Sequence, residues 1–266
     1  MRPLLAAALL VGLFVPTAHG QTLWSRPYSP NQFAVEVLVP DTPAEASWAS
    51  GATFVTGTAS LSDNIELATE LPVARFGASG DSLSSTTALG NPYVGLGFSS
   101  TTFPVLLEIG ARLPVASSSR AGRIGSAADM GRLAAFREDE FSLSLLANGR
   151  IAVGRKTSVR FRTGGTYASF PASTSPSDSN TTAWRLQYDA QLWHEGKRTI
   201  TGLTFTGRAT VSAPRRTQHH VALSLMGNWP RIQPGLVVGT SVNDLLQDGA
   251  FSPFAGLTLS ISYGRF

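Results

Sequence analysis

Residues 183–212 read AWRLQYDAQLWHEGKRTITGLTFTGRATVS, which is two alternating runs on either side of a short polar turn. In the first run every second residue is apolar: Trp184, Leu186, Tyr188, Ala190 and Leu192. The residues between them are polar or charged: Arg185, Gln187, Asp189 and Gln191. The second run repeats this alternation after a turn that contains Gly196. Because a β-strand points successive side chains to opposite faces, the segment predicts a hairpin with one apolar and one polar face.

The length of these runs favours a membrane protein. Each run has about ten residues, which matches the ~9–11 of a tilted strand that crosses a bilayer and exceeds the ~5–6 of a usual soluble strand. Lipid can cover the apolar face while the polar face lines the inside of a closed barrel. We therefore predict an all-β protein, a transmembrane antiparallel up-and-down β-barrel. A secreted β-sandwich is the alternative.

The composition agrees with a barrel and limits the chemistry. Of the 266 residues, 42% are hydrophobic and 14% are charged, where ordinary soluble domains have ~25% charged residues. There is no cysteine, which excludes disulfides, thiolate metal sites and lipid attachment through an N-terminal cysteine. The formal net charge is +4 without a Lys/Arg cluster, which favours contact with anionic lipid and does not indicate nucleic acid.

The first residues have the features of an export signal. Arg2 provides a positive charge, an apolar stretch runs to Val15, and Ala18 to Gly20 resemble a small-residue cleavage site. We expect residues 1–20 to be a signal peptide, residues 21–31 an N-terminal periplasmic segment, and residues 32–266 the outer-membrane β-barrel. An uncleaved anchor is the alternative, although the stretch is shorter than the ~20 residues of a spanning helix.

Alternating runs continue along the chain and indicate about twelve strands, an even number as in single-chain bacterial barrels. Connections near residues 43, 83, 126, 175, 215 and 247 are expected to be outer loops, most of them long, and those near 63, 100, 155, 196 and 230 short periplasmic turns. The longest connection, residues 114–139, either holds a short helix near residues 127–136 or folds inward. Gly164 and Gly165 are expected to form a bulge or bend.

Two parts of the chain resemble known outer-membrane proteins. The C-terminal SISYGRF is similar to their last-strand signature, which implies recognition of Phe266 by the barrel assembly machinery, with Gly264 as a bulge. The segments ELPVARFGASG, ALGNPYVGLGF and LEIGARLPVAS resemble transporter barrels of the phenol-degradation meta-pathway, in which Leu-Pro strand ends flank a Gly-Asn-Pro or Gly-Asp-Pro loop. This resemblance covers about residues 70–117 and implies an outer-membrane channel. From it alone, hydrophobic or aromatic solutes are candidate cargo.

The histidines of the mature chain offer no catalytic arrangement. His194 lies in a predicted turn, and the adjacent His219 and His220 must point to opposite faces of a strand. Neither position places a base beside a nucleophile or brings metal ligands together. We therefore predict that the protein is not an enzyme, with no catalytic residue, no metal site and no cofactor.

Two sets of charged residues lie at the alternate strand positions whose side chains face the predicted lumen. The first four form an acidic wall: Glu36, Glu66, Glu70 and Glu108. The other four form a basic wall: Arg160, Arg162, Arg185 and Arg208. Closing the sheet puts the walls roughly opposite each other, and we expect a transverse field that orients dipolar or zwitterionic solutes. The alternative is that the charges pair across a narrow lumen and plug it, because unpaired charge in a confined space is costly.

Together these features predict an outer-membrane channel for passive or facilitated diffusion of small solutes. A closed structural or surface-interaction barrel, acting through extracellular loops 114–139 and 171–182, is the alternative. The expected partners are outer-membrane lipid and lipopolysaccharide, the barrel assembly machinery and small solutes.

Overall fold

The structure is a computed structural model that describes residues 31–41, 46–79, 84–99, 105–170, 182–211, 213–242 and 252–263. Within this part of the chain, 13 antiparallel strands form one sheet. The strands are β1 (Gln32–Pro40), β2 (Gly51–Ser62), β3 (Ile65–Phe76), β4 (Thr86–Leu89), β5 (Tyr93–Phe98), β6 (Val105–Arg112), β7 (Phe141–Ala152), β8 (Thr157–Ser169), β9 (Thr182–Glu195), β10 (Thr199–Thr210), β11 (Ala213–Gly227), β12 (Ile232–Ser241) and β13 (Pro253–Ser262).

The sheet closes on itself as a barrel. Strands that follow one another in sequence are paired, and β13 returns to β1, where Val35 lies opposite Leu259. The closed ring has twelve positions, because β4 and β5 are two parts of one interrupted strand along β3. The interruption falls at residues 90–92. The predicted up-and-down barrel of about twelve strands is therefore confirmed.

Side chains alternate between the two faces of the barrel wall. In β1, Glu36 is fully buried, whereas its neighbour Val35 is partly exposed and Val37 is 39% exposed. The exposed parity of the other strands is also apolar, for example Leu223 at 57% exposure and Leu257 at 62%. The buried residues of each strand face the inside of the closed ring, so the apolar residues between them form a belt around the outside. A sandwich would bury them between sheets, so that alternative fold is excluded.

The two ends of the barrel differ in their connections. One end, here the long-loop end, carries connections at residues 41–50, 77–85, 113–140, 170–181 and 242–252. The short-turn end carries connections at residues 63–64, 99–104, 153–156, 196–198 and 228–231. The predicted loop near residue 215 is wrong: β10 ends at Thr210 and β11 begins at Ala213, so residue 215 lies within a strand. The residues after Ala213 belong to β11, but its register against β10 shifts between the pairs Thr210–Ala213 and Arg208–Gln218, so the ladder is irregular there.

The predicted bulge at Gly164 and Gly165 is also wrong. The register of β8 against both β7 and β9 is unbroken through these residues. Gly164 instead permits a close approach of two backbones, because a Cβ atom there would lie 2.1 Å from the carbonyl oxygen of Leu145. The expectations for Phe266 and Gly264, and for residues 1–30, fall outside the described residues.

Residues 113–140 fold into the long-loop end of the barrel, and we call them the plug. They contain a helix, α1 (Arg120–Ala128), and a 3-10 helix (Met130–Ala135). The helix begins where the hydroxyl of Ser119 accepts a hydrogen bond from the Gly122 amide at 2.9 Å, a typical N-cap. None of the described helices is long and apolar enough to cross a membrane.

The plug is held against the inner wall by an apolar cluster. Phe136 of the plug meets Phe54 of β2 edge to face, with ring centroids 5.8 Å apart. Ile124 of α1 and Phe76 of β3 belong to the same buried cluster. Both predicted options for residues 114–139 are thus realised at once, since the segment is partly helical and folds inward. The helix itself begins earlier than the predicted residues 127–136.

Candidate functional site

All eight predicted wall residues lie on the inner face of the barrel. Seven of them are buried: Glu36, Glu66, Glu70, Glu108, Arg160, Arg185 and Arg208. The eighth, Arg162, has a side chain that is only 11% exposed. The apolar parity of the same strands faces outward. The candidate functional site is therefore the charged lumen of the barrel, together with the plug that enters it.

Arg132, which the sequence did not single out, lies against the acidic wall. It projects from the 3-10 helix of the plug, and its Nη2 donates a hydrogen bond to Oε2 of Glu36. Its Nη1 donates to Oε2 of Glu70 at 3.3 Å, and its Nε to Oδ2 of Asp129 at 2.5 Å. The guanidinium also lies 3.6 Å from the ring centroid of Phe54, close enough for a cation–π contact. The plug thus neutralises part of the acidic wall.

The carboxylates keep this arginine charged. Burial by itself would lower the pKa of Arg132, since desolvation disfavours the charged form. The fields of Glu36, Asp129 and Glu70 outweigh that penalty and raise the pKa of Arg132 above its ordinary value. The contact between plug and wall is therefore a buried ion-pair network. Removing one partner would leave the remaining charges buried and unpaired.

Other lumen charges also have partners. Arg112 donates to Oε1 of Glu70 at 2.6 Å. Arg162 of the basic wall donates to Oε1 of Glu108 of the acidic wall at 3.3 Å, and the same oxygen accepts a hydrogen bond from Tyr93. These contacts are of the kind expected if the lumen charges pair.

The basic wall also reaches the plug. Arg185 and Glu140, the last residue of the plug, form two parallel hydrogen bonds, one of them 2.8 Å between Nη2 and Oε2. This bidentate geometry is the strong form of an arginine–carboxylate contact. Arg160 lies farther from the plug and 3.7 Å from a carboxylate oxygen of Glu195. The plug is therefore attached to the acidic wall through contacts of Arg132 with Glu36 and Glu70, and to the basic wall through the contact of Glu140 with Arg185.

Asn91, at the interruption between β4 and β5, holds both ends of the plug. Its Nδ2 donates to the carbonyl oxygens of Ala134 at 2.9 Å and Arg137 at 2.7 Å. Its Oδ1 accepts from the backbone amides of Val115 at 2.8 Å and Ala116 at 2.7 Å. Asn91 is 0% exposed, and the amide uses two donor and two acceptor positions. Neither aspartate nor leucine could make all four bonds.

The sequence around Asn91 contained a signal whose meaning was missed. The Gly-Asn-Pro motif carried a family resemblance but no structural role. Gly90 is required because a Cβ atom there would lie 2.3 Å from the carbonyl oxygen of Ala135. Pro92 has no amide hydrogen and so fits a position where the ladder stops. The motif marks the interruption between β4 and β5, where the wall contacts the plug.

The described residues contain no group of three or more His, Cys, Asp or Glu side chains that could hold a metal ion. His194 lies in β9 rather than in the predicted turn, because the ladder with β10 extends to Glu195. His219 faces outward with its Nε2 2.7 Å from the hydroxyl of Tyr188, whereas His220 is buried. The two adjacent histidines thus point to opposite faces.

No protein-family model and no curated protein matches the sequence. Solved structures of similar fold include the NanC porin, with a TM-score of 0.57 and 9% identity over 87% of this chain and 100% of that chain. The KdgM porin has a TM-score of 0.54 and 11% identity over 88% of this chain and 99% of that chain. An outer-membrane channel from Pseudomonas putida F1 has a TM-score of 0.52 and 15% identity over 92% of this chain and 100% of that chain.

At these identities the similarity concerns the fold alone. The chain has the fold of outer-membrane barrel channels. The resemblance of its motifs to barrels of the phenol-degradation meta-pathway stays a prediction.

Proposed function

We propose that the protein is an outer-membrane channel through which small solutes diffuse. The observation that carries the proposal is a closed barrel with an apolar outside and a polar, charged inside. Hydrocarbon can cover the outer belt, whereas the inner surface suits water and hydrated solutes. The similarity in fold to two porins and a channel supports this assignment. The short-turn end would then face the periplasm and the long-loop end the outside of the cell.

The uncharged part of the lumen also favours an aqueous path. Buried polar residues from several strands line it: Gln32, Thr56, Thr58, Gln191, Thr204, Ser224, Thr258 and Ser260. The hydroxyl oxygens of Thr204 and Thr258 have no hydrogen-bond partner within the described ranges. Polar groups without partners are unfavourable in a dry core and are satisfied along a hydrated path.

The plug is the gate in this proposal. It occupies the long-loop end and is attached to the wall by ion pairs of Arg132 and by hydrogen bonds of Asn91. Water can replace polar contacts of this kind when the plug moves, at a smaller penalty than in a sealed core. Solutes would then pass between the two walls, whose transverse field orients dipolar or zwitterionic molecules. Hydrophobic or aromatic cargo remains a proposal based on the motif resemblance.

A closed structural or surface-interaction barrel is the second candidate. It is favoured by the number of buried contacts that hold the plug in place, above all the four hydrogen bonds of Asn91. Such a protein would display its loops at the long-loop end and pass no solute.

Reconstitution separates the two candidates. Purified protein is inserted into liposomes, and swelling is followed with small sugars and amino acids, alongside single-channel conductance in planar bilayers. A channel gives solute flux and discrete conductance steps. Folding is checked by gel mobility, since a closed barrel resists detergent until boiled. Folded protein that gives neither swelling nor conductance contradicts the channel and supports the closed barrel.

A further inference from the structure

Arg208 is a buried charge on the inner face of β10. The residue is 8% exposed, and its Nε and Nη1 atoms are buried without a hydrogen-bond partner in the part of the chain that the structure describes. A guanidinium removed from water is unfavourable unless an anion or hydrogen-bond acceptors compensate it. Arg185, on the neighbouring strand, has such a partner in Glu140. Arg208 therefore has unused capacity to bind an anion.

The charges around Arg208 do not supply that anion. Those that act on it most strongly are Arg185, Glu140, Arg112 and Arg137. Glu140 is the one carboxylate among them, and it is already shared between Arg185 and Arg137, the latter at 3.5 Å. Three of these four groups are positive, so together they favour anions that enter from the lumen.

The guanidinium borders a cavity between the wall and the plug. The cavity has a volume of about 50 Å³, and its lining includes Arg208, Arg162, Gln187, Ser142 and Thr166. Glu70 also lines it, but its two carboxylate oxygens are paired with Arg112 and Arg132. Gln187 lies directly opposite Arg208 in the ladder between β9 and β10. One water needs roughly 10–15 Å³ of such space, so the cavity has room for a group of a few atoms and not for a ring. The rest of a larger solute would have to remain in the lumen.

We propose that Arg208 is the centre of an anion-binding subsite that takes the carboxylate group of a small organic anion. A carboxylate matches the planar donor fork of arginine. Amide and hydroxyl groups of the cavity supply further donors. One unpartnered guanidinium balances one negative charge, which favours a carboxylate over a phosphate with its charge of about −1.5 to −2. Its place on a permeation path rests on the proposed channel function, whereas binding itself does not.

Calorimetric titration of the folded barrel in detergent micelles tests the subsite. Sodium benzoate, sodium phosphate and neutral benzyl alcohol are compared at constant ionic strength. We expect benzoate to bind and benzyl alcohol not to bind. Arg208→Gln should weaken benzoate binding at least about tenfold, the effect of losing one charge-assisted hydrogen-bonded contact. Arg198→Gln removes the same charge from an exposed turn residue at the short-turn end and should bind as the unmodified protein does.

Arg208→Lys is a second variant, which keeps the positive charge but lacks the planar pair of donors of a guanidinium. It should bind benzoate with intermediate affinity. Heat-modifiable gel mobility shows that each variant is a closed barrel. Benzoate should also raise the unfolding temperature of the unmodified barrel but not of Arg208→Gln, because a ligand stabilises only the state that binds it. Equal benzoate affinity in the unmodified protein and Arg208→Gln overturns the subsite. Preference for phosphate over benzoate overturns the assignment to carboxylates.

Liposome flux is measured on the same preparations. Benzoate binding without solute flux contradicts the channel function and leaves the subsite standing. Solute flux without benzoate binding contradicts the subsite and leaves the channel function standing. The two proposals therefore fail separately.

Discussion

Arg132 of the plug and Glu36 of the first strand form a buried ion pair across 96 positions of sequence. Their side chains are only 5% and 1% exposed. The same guanidinium contacts Glu70 and Asp129, so one plug residue contacts three carboxylates. This contact ties the position of the plug to the charge of the wall, and it gives a direct way to test whether the plug controls the lumen.

Replacing Arg132 with Gln should release the plug. The change leaves buried carboxylates without their partner, and breaking a buried ion pair from one side costs about 3–5 kcal/mol. We expect larger or more frequent openings in single-channel recordings and faster liposome swelling. Arg123→Gln is the matched control, because Arg123 lies on an exposed face of α1. Unchanged conductance in folded Arg132→Gln would show that the plug does not gate the lumen.

Replacing Asn91 with Ala should loosen both ends of the plug at once. The substitution leaves the backbone amides of Val115 and Ala116 without their acceptor, and each unsatisfied buried group costs about 1–3 kcal/mol. Hydrogen exchange of plug amides should accelerate in the folded barrel. Asn228→Ala is the control, since its Nδ2 donates to Gly196 at the short-turn end, 2.8 Å away. Equal protection of the plug in both variants would argue against the anchoring role.

Reversing the charge of Arg160 should change the ion selectivity of an open channel. The residue is 7% exposed and belongs to the basic wall, where low dielectric strengthens its field. We expect the reversal potential of Arg160→Glu in a salt gradient to shift toward cation selectivity. Arg198→Glu should have little effect, because solvent and salt screen an exposed charge. Identical selectivity in Arg160→Glu and the unmodified protein would refute a field from the walls.

A charge on the outer belt should destabilise the barrel in a bilayer. Leu223 of β11 is 57% exposed and lies opposite Leu203 and Val238 on the neighbouring strands. Leu223→Arg should lower the free energy of unfolding in lipid by up to about 2–4 kcal/mol, the range for arginine near the middle of a bilayer. Denaturant titration in liposomes measures this, with Leu223→Phe as the apolar control. Equal stability of the two variants would mean that lipid does not cover this position.

The barrel could be predicted from sequence because its signal is local. Each strand repeats apolar and polar residues with a period of two, and that parity alone placed Glu36 and Arg208 on the inner face. The plug could not be predicted in this way. Arg132 and Asn91 act through contacts with residues far away in the chain, and nothing in their immediate neighbours indicates the partner. Their roles depend on the closed geometry of the wall.

The errors near residues 164 and 215 have a common physical origin. Glycines and polar residues were interpreted as interruptions of strands, whereas β8 keeps its register through Gly164 and β11 already begins at Ala213, with a register shift against β10. Gly164 is present because Leu145 approaches closely, and polar residues of β11 extend the strand beyond its apolar portion. At Gly164, backbone pairing with both neighbouring strands outweighs the local turn preference.

The pairing of β1 with β13, in which Gln32 lies opposite Ser262, has a consequence for biogenesis. One edge of β1 is paired by β13, the last of the described strands, so that edge has no partner until β13 has been synthesised. Pairing between strands so far apart in sequence slows folding and leaves aggregation-prone intermediates. A truncation that removes β13 yields an open, aggregation-prone sheet rather than a smaller barrel.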